Sequence, residues 1–219
     1  MPVQSVAAAV PNDNAAMCGR FTLTKPEAIR SAFPCFRWPE FSETKLPRYN
    51  VAPAQSVLGV RNDGRETVEA MVWGIRGRIN VRAESLASWR RPIRRRCIEF
   101  ADGFYEWRDR RPYYYTLRSG EPFAFAGLWD PLDGEACCDI VTCEPNALVA
   151  AVHDRMPVIL APENLDIWLD PEPLPPEVAG SVLRPFEAEK MVVREVSARV
   201  NNANYDSADV LADAELRLL

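Results

Sequence analysis

The 219-residue chain has a single histidine and no pair of cysteines in a CxxC arrangement. A zinc site of the finger type needs several Cys and His ligands at short spacings, so we expect no metal and no cofactor. Two of the six cysteines, Cys137 and Cys138, are adjacent, which is awkward for a disulfide framework. The cysteine pattern therefore favours a reducing compartment.

The sequence also has no long hydrophobic run. No apolar stretch approaches the roughly 20 residues of a membrane-spanning helix. The opening stretch "MPVQSVAAAVPNDNAA" lacks the basic start and the long apolar centre of a signal peptide. We therefore expect a cytoplasmic protein without a membrane partner. Nothing in the sequence indicates obligate assembly, so we also expect a monomer.

Length and composition fit one domain. With 47% hydrophobic residues the chain has enough apolar side chains for a core of its own. Residues 1–16 are small and polar without a periodic apolar face, so we interpret them as a disordered extension or an incorrectly assigned start. The domain is then residues 17–219.

Short apolar stretches at close spacing predict a mostly antiparallel β core. Around the turn "NDG" at residues 62–64, the stretches "RYNVAPAQSVLGVR" and "VEAMVWGI" predict a hairpin. Further strand candidates are "RRCIEFADGFYEW", "PYYYTL", "PFAFAGLWD", "CCDIVTCE" and "MVVREVSARV". Short helices are predicted over residues 25–33, 146–154 and 162–170 and after residue 170. We therefore expect an α+β single domain with short flanking helices.

The charge is unevenly distributed. The net charge is −5, but the stretch from Arg76 to Arg111 holds eleven arginines against five acidic residues. Such asymmetry suggests a local phosphate-binding face on an otherwise acidic protein. A solvated arginine-rich loop would give the same pattern, and charge alone leaves both interpretations open.

Met17 directly precedes Cys18, which makes Cys18 a possible amino-terminal residue. An amino-terminal cysteine carries an α-amine with a pKa of about 8 beside a thiol with a pKa of about 8.5. The amine can attack an aldehyde to form an imine, and the thiol can then add to the imine carbon to close a thiazolidine ring. The alternative is a small buried hydrophobic residue next to Phe21 and Leu23.

The stretch "INVRAES" at residues 79–85 places Asn80, Arg82 and Glu84 at alternating positions. If the stretch is a strand, the three side chains share one face, which is either solvated or part of a site. Arg82 has the planar guanidinium that suits a phosphate, and Asn80 could hydrogen-bond a sugar or a base.

Two further residues are candidate proton carriers. Glu106 lies between Tyr105 and Trp107, and apolar surroundings raise the pKa of a carboxyl group. His153, the single histidine, is followed by charged residues and then by the extended "MPVIL". An outward-facing Glu106 and a structural His153 are the alternatives.

Taken together, "MCGRFTL", "YNVAPAQ", "NVRAES", "ADGFYEW", "HDRMPVIL" and "VNNANYD" resemble, in order and character, the SOS-response-associated peptidase (SRAP) family. The resemblance runs from Met17 to about Asp206. It implies a single α+β domain with barrel-like antiparallel sheets and a positively charged groove for single-stranded DNA. Members of the family cross-link to abasic sites through an amino-terminal cysteine.

The resemblance implies roles for ten residues. Cys18 would supply the amine and the thiol, and Glu106 and His153 would move protons. Asn80 would place the deoxyribose, which completes the catalytic set of Cys18, Asn80, Glu106 and His153. Residues implied in DNA binding are Arg20, Pro53, Trp73, Arg82, Thr142 and Arg155, with Trp73 and Pro53 as the apolar wedge and platform.

An internal Cys18 has no free amine, so the implied chemistry requires removal of residues 1–17. The partner would then be single-stranded DNA that contains abasic sites. Two other functions remain open from the sequence. One is a thiol peptidase, including one that cleaves its own chain before Cys18, and the other is a non-covalent reader of modified DNA bases.

Overall fold

The computed structural model describes residues 18–39, 46–88 and 92–214. Our expectation for residues 1–16 lies outside this part of the chain. The strands of the first half are β1 (Arg20–Leu23), β2 (Arg48–Val51), β3 (Ser56–Arg61), β4 (Glu69–Trp73), β5 (Asn80–Arg82), β6 (Arg96–Ala101) and β7 (Gly103–Arg108). The later strands are β8 (Arg111–Leu117), β9 (Phe123–Leu132), β10 (Glu135–Cys143), β11 (Met156–Pro157) and β12 (Met191–Glu195). The α-helices are α1 (Pro26–Ala32), α2 (Ala83–Ala87), α3 (Leu165–Leu169) and α4 (Pro176–Val182).

The strands form two sheets. One has the order β12-β8-β7-β1-β2 and is antiparallel throughout. In the other, β10, β4, β3, β6 and β9 pair in sequence, and β9 pairs with β10 again, so that these five strands close into a barrel. The pairings of β10 with β4 and β5 are parallel, and the rest of this sheet is antiparallel. The predicted α+β fold with barrel-like antiparallel sheets is confirmed.

Most predicted elements are present. The hairpin around residues 62–64 forms between β3 and β4. Helix α1 begins at Pro26, whose fixed φ and missing N–H suit a first helical turn. The predicted strand at residues 191–200 is shorter than expected, because Glu195 ends β12 and a 3-10 helix follows at Ala198–Asn201.

The predicted helix over residues 146–154 is wrong. Asn146 Oδ1 accepts hydrogen bonds from the backbone N–H groups of Leu148 and Val149, at 3.0 and 2.9 Å, which starts a helical turn. The segment then continues as turns. The physical reason is the pairing of Met156 with Cys143, which requires the chain to reverse direction within this short segment.

The predicted strand over residues 79–85 is correct only as far as Arg82. Ala83 and Leu86 are three residues apart and both buried, at 7% and 0% exposed. This spacing matches one face of a helix, and the chain forms α2 from Ala83. Glu84 therefore does not share a strand face with Asn80 and Arg82.

An aromatic cluster joins the five-stranded sheet to the barrel. The ring of Phe21 on β1 lies 5.2 Å from that of Trp73 on β4 and 5.6 Å from that of Phe125 on β9. Phe104 on β7 lies 6.3 Å from Phe125. These contacts hold β1 and β7 against the barrel, which fixes the strands that carry the candidate site.

The carboxy-terminal motif "VNNANYD" has a structural role. The buried side-chain Nδ2 of Asn50 lies 2.9 to 3.1 Å from the carbonyl oxygens of Val200, Asn202 and Tyr205, which share its two N–H groups. Asp206 Oδ1 accepts from the backbone N–H groups of Tyr49 and Asn50. The motif therefore ties the end of the domain to β2.

Within the described ranges, no helix is long and apolar enough to cross a membrane.

Candidate active site

The backbone of Cys18 lies against the side chain of Glu106. Strands β1 and β7 are antiparallel neighbours, with Arg20 opposite Tyr105, so the chain just before β1 reaches the level of Glu106. The Cys18 backbone nitrogen donates a hydrogen bond to Glu106 Oε1 at 3.0 Å. Both residues are buried, with Cys18 3% and Glu106 1% exposed. The predicted pair is thus brought together, and the alternative of an outward-facing Glu106 is wrong.

Burial controls the protonation of this pair. It raises the pKa of Glu106 to about 8, with a smaller opposing contribution from the contacts to Cys18. It also raises the pKa of the Cys18 thiol, and the negative charge of Glu106 adds to that effect. At neutral pH the thiol is therefore uncharged, and Glu106 is mostly protonated.

His153 joins the site from the loop before β11. Its Nε2 lies 4.0 Å from Glu106 Oε2, and its Nδ1 accepts a hydrogen bond from the Arg155 backbone N–H at 3.1 Å. Asp154 Oδ1 is also 3.2 Å from Nδ1 and would favour a proton there. The Asp154 side chain is 86% exposed, so water screens its charge, and the backbone bond decides the tautomer. The neutral ring therefore carries its hydrogen on Nε2, on the side of Glu106.

Arg155 is committed to internal contacts. Its Nη1 and Nη2 donate to the two carboxylate oxygens of Glu84 at 2.6 and 2.8 Å, and Nη2 also donates to the Thr142 carbonyl at 2.7 Å. These bonds hold the pKa of Glu84 below its usual range. The phosphate-binding role expected for Arg155 stays a prediction, and in this structure a carboxylate occupies the donors that a phosphate would need.

Asn80 and Arg82 extend from β5, which pairs in parallel with β10. Asn80 is half-buried and Arg82 is exposed, while Val81 between them is buried at 8% exposed. The alternation predicted for these two residues is confirmed. Arg82 is thus available to an anionic ligand, next to the strand that leads to His153 and Arg155.

Three residues expected at the DNA are buried or bonded internally in this structure, and their DNA contacts stay predictions. Trp73 is 0% exposed, and its Nε1 donates to the Ile79 carbonyl at 3.0 Å, so it lies in the core here. Thr142 is also 0% exposed. The Arg20 guanidinium donates to Asn50 Oδ1 at 3.0 Å and to the Val200 carbonyl at 2.9 Å. Pro53, the expected platform, is half-buried between β2 and β3.

Sequence reasoning missed three residues near the site. Arg108 is exposed, lies two residues beyond Glu106 on β7, and donates to the Ala151 carbonyl at 3.0 Å. Strand alternation places it on the face of Glu106, which is a signal that the sequence already contained. Cys143 at the end of β10 and Tyr115 on β8 interact electrostatically with Cys18 and Glu106 respectively. Only the tertiary fold brings these two close.

The site combines one backbone nitrogen, one thiol, one carboxyl group and one imidazole. This set can move protons at a reacting amine without a metal. Among the described residues, no group of three or more His, Cys, Asp or Glu side chains is placed to hold a metal ion.

Comparison with known proteins assigns the chain to a family. Residues 17–203 match the family model described as SOS response associated peptidase (SRAP). The Bacillus subtilis abasic site processing protein YoqW is 37% identical over 222 residues, which cover 89% of this chain and 99% of that protein. The chicken protein HMCES, also named an abasic site processing protein, is 31% identical over 60% of this chain and 48% of its own length.

Solved structures show the same fold. A Bacteroides thetaiotaomicron protein superposes with a TM-score of 0.68 at 23% identity, over 83% of this chain and 90% of its own. A phage-related protein of Bordetella bronchiseptica superposes with a TM-score of 0.63 at 28% identity, over 82% of this chain and 94% of its own. With the family model matching most of the chain and YoqW aligning over nearly its whole length, the chain belongs to the SRAP family.

Proposed function

We propose that this protein senses abasic sites in single-stranded DNA and traps them as a covalent thiazolidine at Cys18, after removal of residues 1–17. The observation that carries the proposal is the 3.0 Å hydrogen bond from the Cys18 backbone nitrogen to Glu106 Oε1. In a chain that begins at Cys18, this nitrogen is a free amine already in contact with a carboxyl group. The names of YoqW and HMCES as abasic site processing proteins support the choice of substrate.

The reaction needs no oxidant or reductant. The opened abasic sugar presents an aldehyde, and the Cys18 amine adds to its carbon to give a carbinolamine. Loss of one water forms the imine. The thiol sulfur then bonds to the imine carbon while its proton goes to the nitrogen, which closes the ring. The adduct therefore has the mass of protein plus DNA minus one water.

Two residues assist the proton transfers. Glu106 takes a proton from the attacking nitrogen and returns one to the departing hydroxyl group, because its oxygen already lies at hydrogen-bond distance from that nitrogen. His153 Nε2, 4.0 Å from Glu106 Oε2, is placed to donate a hydrogen bond to the sugar ring oxygen as the ring opens, while the proton that this oxygen gains is the one that the anomeric hydroxyl group loses. We propose that Asn80 orients the sugar from β5.

Burial of the site favours an unpaired lesion. Cys18 is 3% exposed, so a sugar can reach it only by leaving the base stack, and this is easiest in single-stranded DNA. The exposed guanidinium groups of Arg82 and Arg108 are the cations that would hold the adjacent phosphates. We propose that the protein acts as a monomer on DNA in the cytoplasm.

A thiol peptidase is the competing enzyme. Burial and the charge of Glu106 raise the pKa of the Cys18 thiol, whereas a cysteine nucleophile works as a thiolate. This direction weighs against efficient attack on peptide bonds by Cys18. A non-covalent reader of modified bases is the remaining candidate, and it would bind equally well with Cys18→Ala.

The test is an intact-mass measurement on two forms of the protein, the full chain and a chain verified to begin at Cys18. Each is incubated with a single-stranded oligonucleotide that carries one abasic site, and with a matched oligonucleotide whose tetrahydrofuran analogue has no aldehyde. We expect a heat-stable adduct only with the Cys18-start protein and the aldehyde. No adduct in that combination would reject the proposed function.

A further inference from the structure

Tyr115 and Glu106 face the same space from neighbouring strands. In the antiparallel pairing of β7 with β8, Tyr115 lies opposite Phe104 and Tyr113 lies opposite Glu106. Phe104 and Glu106 are two residues apart, so their side chains project from one face of the sheet, and so do those of Tyr113 and Tyr115. Tyr115 is therefore the diagonal neighbour of Glu106, a separation that an aromatic side chain can span.

The environment of Tyr115 holds its ring in place. The ring stacks on Phe104 with centroids 5.0 Å apart and planes 11° from parallel. The residue is 0% exposed, and its hydroxyl group has no hydrogen-bond partner among the described residues. A buried phenol without a hydrogen-bond partner is costly, so its presence calls for an explanation.

We propose that Tyr115 is a positioning residue whose hydroxyl group donates a hydrogen bond to the ionised carboxylate of Glu106, directly or through one water. This inference rests on the proposed function, since it describes how the proton carrier of that reaction is prepared. The charge of Glu106 raises the pKa of Tyr115, which is consistent with the two groups lying close together.

Other ionisable groups also face Glu106. Cys18 before β1 and His153 before β11 approach its carboxyl oxygens, Tyr113 on β8 lies opposite it, and the charge of Asp154 acts on it. Arg108 shares its face of β7. Cys143 on β10 and Arg155 before β11 act on the neighbouring Cys18 thiol. Cys18 contacts Oε1, while His153 approaches Oε2 to within only 4.0 Å.

The hydrogen bond has a direct chemical consequence. A donor that binds only the ionised carboxylate lowers the pKa of Glu106. Burial raises that pKa to about 8 even against the opposing contacts to Cys18, so a donor at the carboxylate keeps a larger fraction of Glu106 available as a base at neutral pH. The phenol remains protonated throughout, because burial raises its own pKa.

The experiment is a carbon-13 NMR titration of the Glu106 carboxyl group in the full chain, with the signal assigned by Glu106→Gln. We expect Tyr115→Phe to raise the pKa of Glu106 by about one unit, a tenfold change in the ionisation constant. Tyr114→Phe is the control, because the Tyr114 hydroxyl group bonds Thr22 Oγ1 at 2.9 Å. It should leave the pKa of Glu106 unchanged.

Two further readouts separate the possible failures. The carbon-13 signal of the Tyr115 ring carbon that carries the hydroxyl group should shift with pH as Glu106 ionises in the parent chain. This shift should be absent from Glu106→Gln. The measurement tests the contact between the two side chains even if Tyr115→Phe folds poorly. In the Cys18-start protein, the pH midpoint of adduct formation should rise with Tyr115→Phe. An unchanged pKa of Glu106 in folded Tyr115→Phe overturns the inference, whether or not an adduct forms. Absence of any adduct from the parent protein rejects the proposed function, while the titration still decides the role of Tyr115.

Discussion

The Cys18 backbone nitrogen and Glu106 Oε1 are 3.0 Å apart, although 88 residues separate them in the chain. The contact exists while Cys18 is still an ordinary peptide residue. Cleavage before Cys18 would convert the same nitrogen into an amine without the carboxyl group having to move. Under the proposed function, the carboxyl group would thus already be in place when cleavage frees the amine.

Glu106→Gln should slow adduct formation by the Cys18-start protein about 100-fold or more, because the amide cannot accept a proton. With Glu106 present, the rate should rise with pH as the carboxyl group ionises. The new ammonium group of Cys18 should lower the pKa of Glu106 below the value of about 8 that burial gives in the full chain. Single-turnover rates of adduct formation between pH 5 and 9 measure the loss of rate in Glu106→Gln and the pH dependence of the parent protein. Equal rates in Glu106→Gln and the parent would contradict the role of Glu106.

Glu99→Gln should stabilise the protein above neutral pH. Glu99 on β6 is 0% exposed, its Oε1 accepts a hydrogen bond from the Cys97 thiol at 3.2 Å, and burial raises its pKa to about 8. A carboxyl group with a raised pKa in the folded state destabilises that state progressively as pH rises from about 4.5 to about 8. The free energy of unfolding of Glu99→Gln should lack this part of the pH dependence. At pH 8 it should exceed that of the parent protein by an amount on the order of a few kcal/mol.

Urea unfolding of the parent and of Glu99→Gln at pH 5 and pH 8 measures that difference. Near pH 4.5 the two proteins should differ little, since the parent carboxyl group is then protonated in the folded state and only about half ionised in the unfolded state. A gain of the same size at both pH values would show that the ionisation of Glu99 is not its cause.

Arg82→Ala should weaken the binding of single-stranded DNA and reduce its salt dependence. Each lost phosphate contact on a single strand lowers the slope of log K against log salt by about 0.7. Arg118→Ala is the matched control, because Arg118 is exposed but bonds the Glu189 and Met191 carbonyl groups outside the site. Equal slopes for Arg82→Ala and the parent protein in fluorescence anisotropy would remove Arg82 from the DNA interface.

Trp73→Ala should lower the free energy of unfolding by about 3–5 kcal/mol, because it empties a fully buried position next to Phe21. Ile167→Ala, at a side chain that is 41% exposed, should cost much less and serves as the control. Thermal or urea unfolding measures the loss of stability in each of the two variants. If Trp73→Ala kept its stability but lost DNA affinity, Trp73 would be a wedge after all.

Local patterns predicted much of the fold. Pro26 at a helix start and the turn at residues 62–64 act through their own backbone preferences, and both predictions are confirmed. Local signals failed where a distant partner decides the conformation. The segment after Asn146 turns because Met156 must pair with Cys143, and Glu84 leaves the strand because Ala83 and Leu86 pack into the core.

For the site, the sequence by itself determined which chemical groups are present: one histidine, a carboxyl group between aromatic residues, and a cysteine preceded by methionine. These are properties of residue types and spacings, and they suffice to indicate amine and proton chemistry. Only the tertiary structure decided which groups meet. It placed Glu106 on the Cys18 nitrogen, Arg155 on Glu84, Trp73 in the core and Tyr115 beside Glu106. Strand pairing and burial set these distances and the pKa of Glu106, and both depend on residues far apart in the chain.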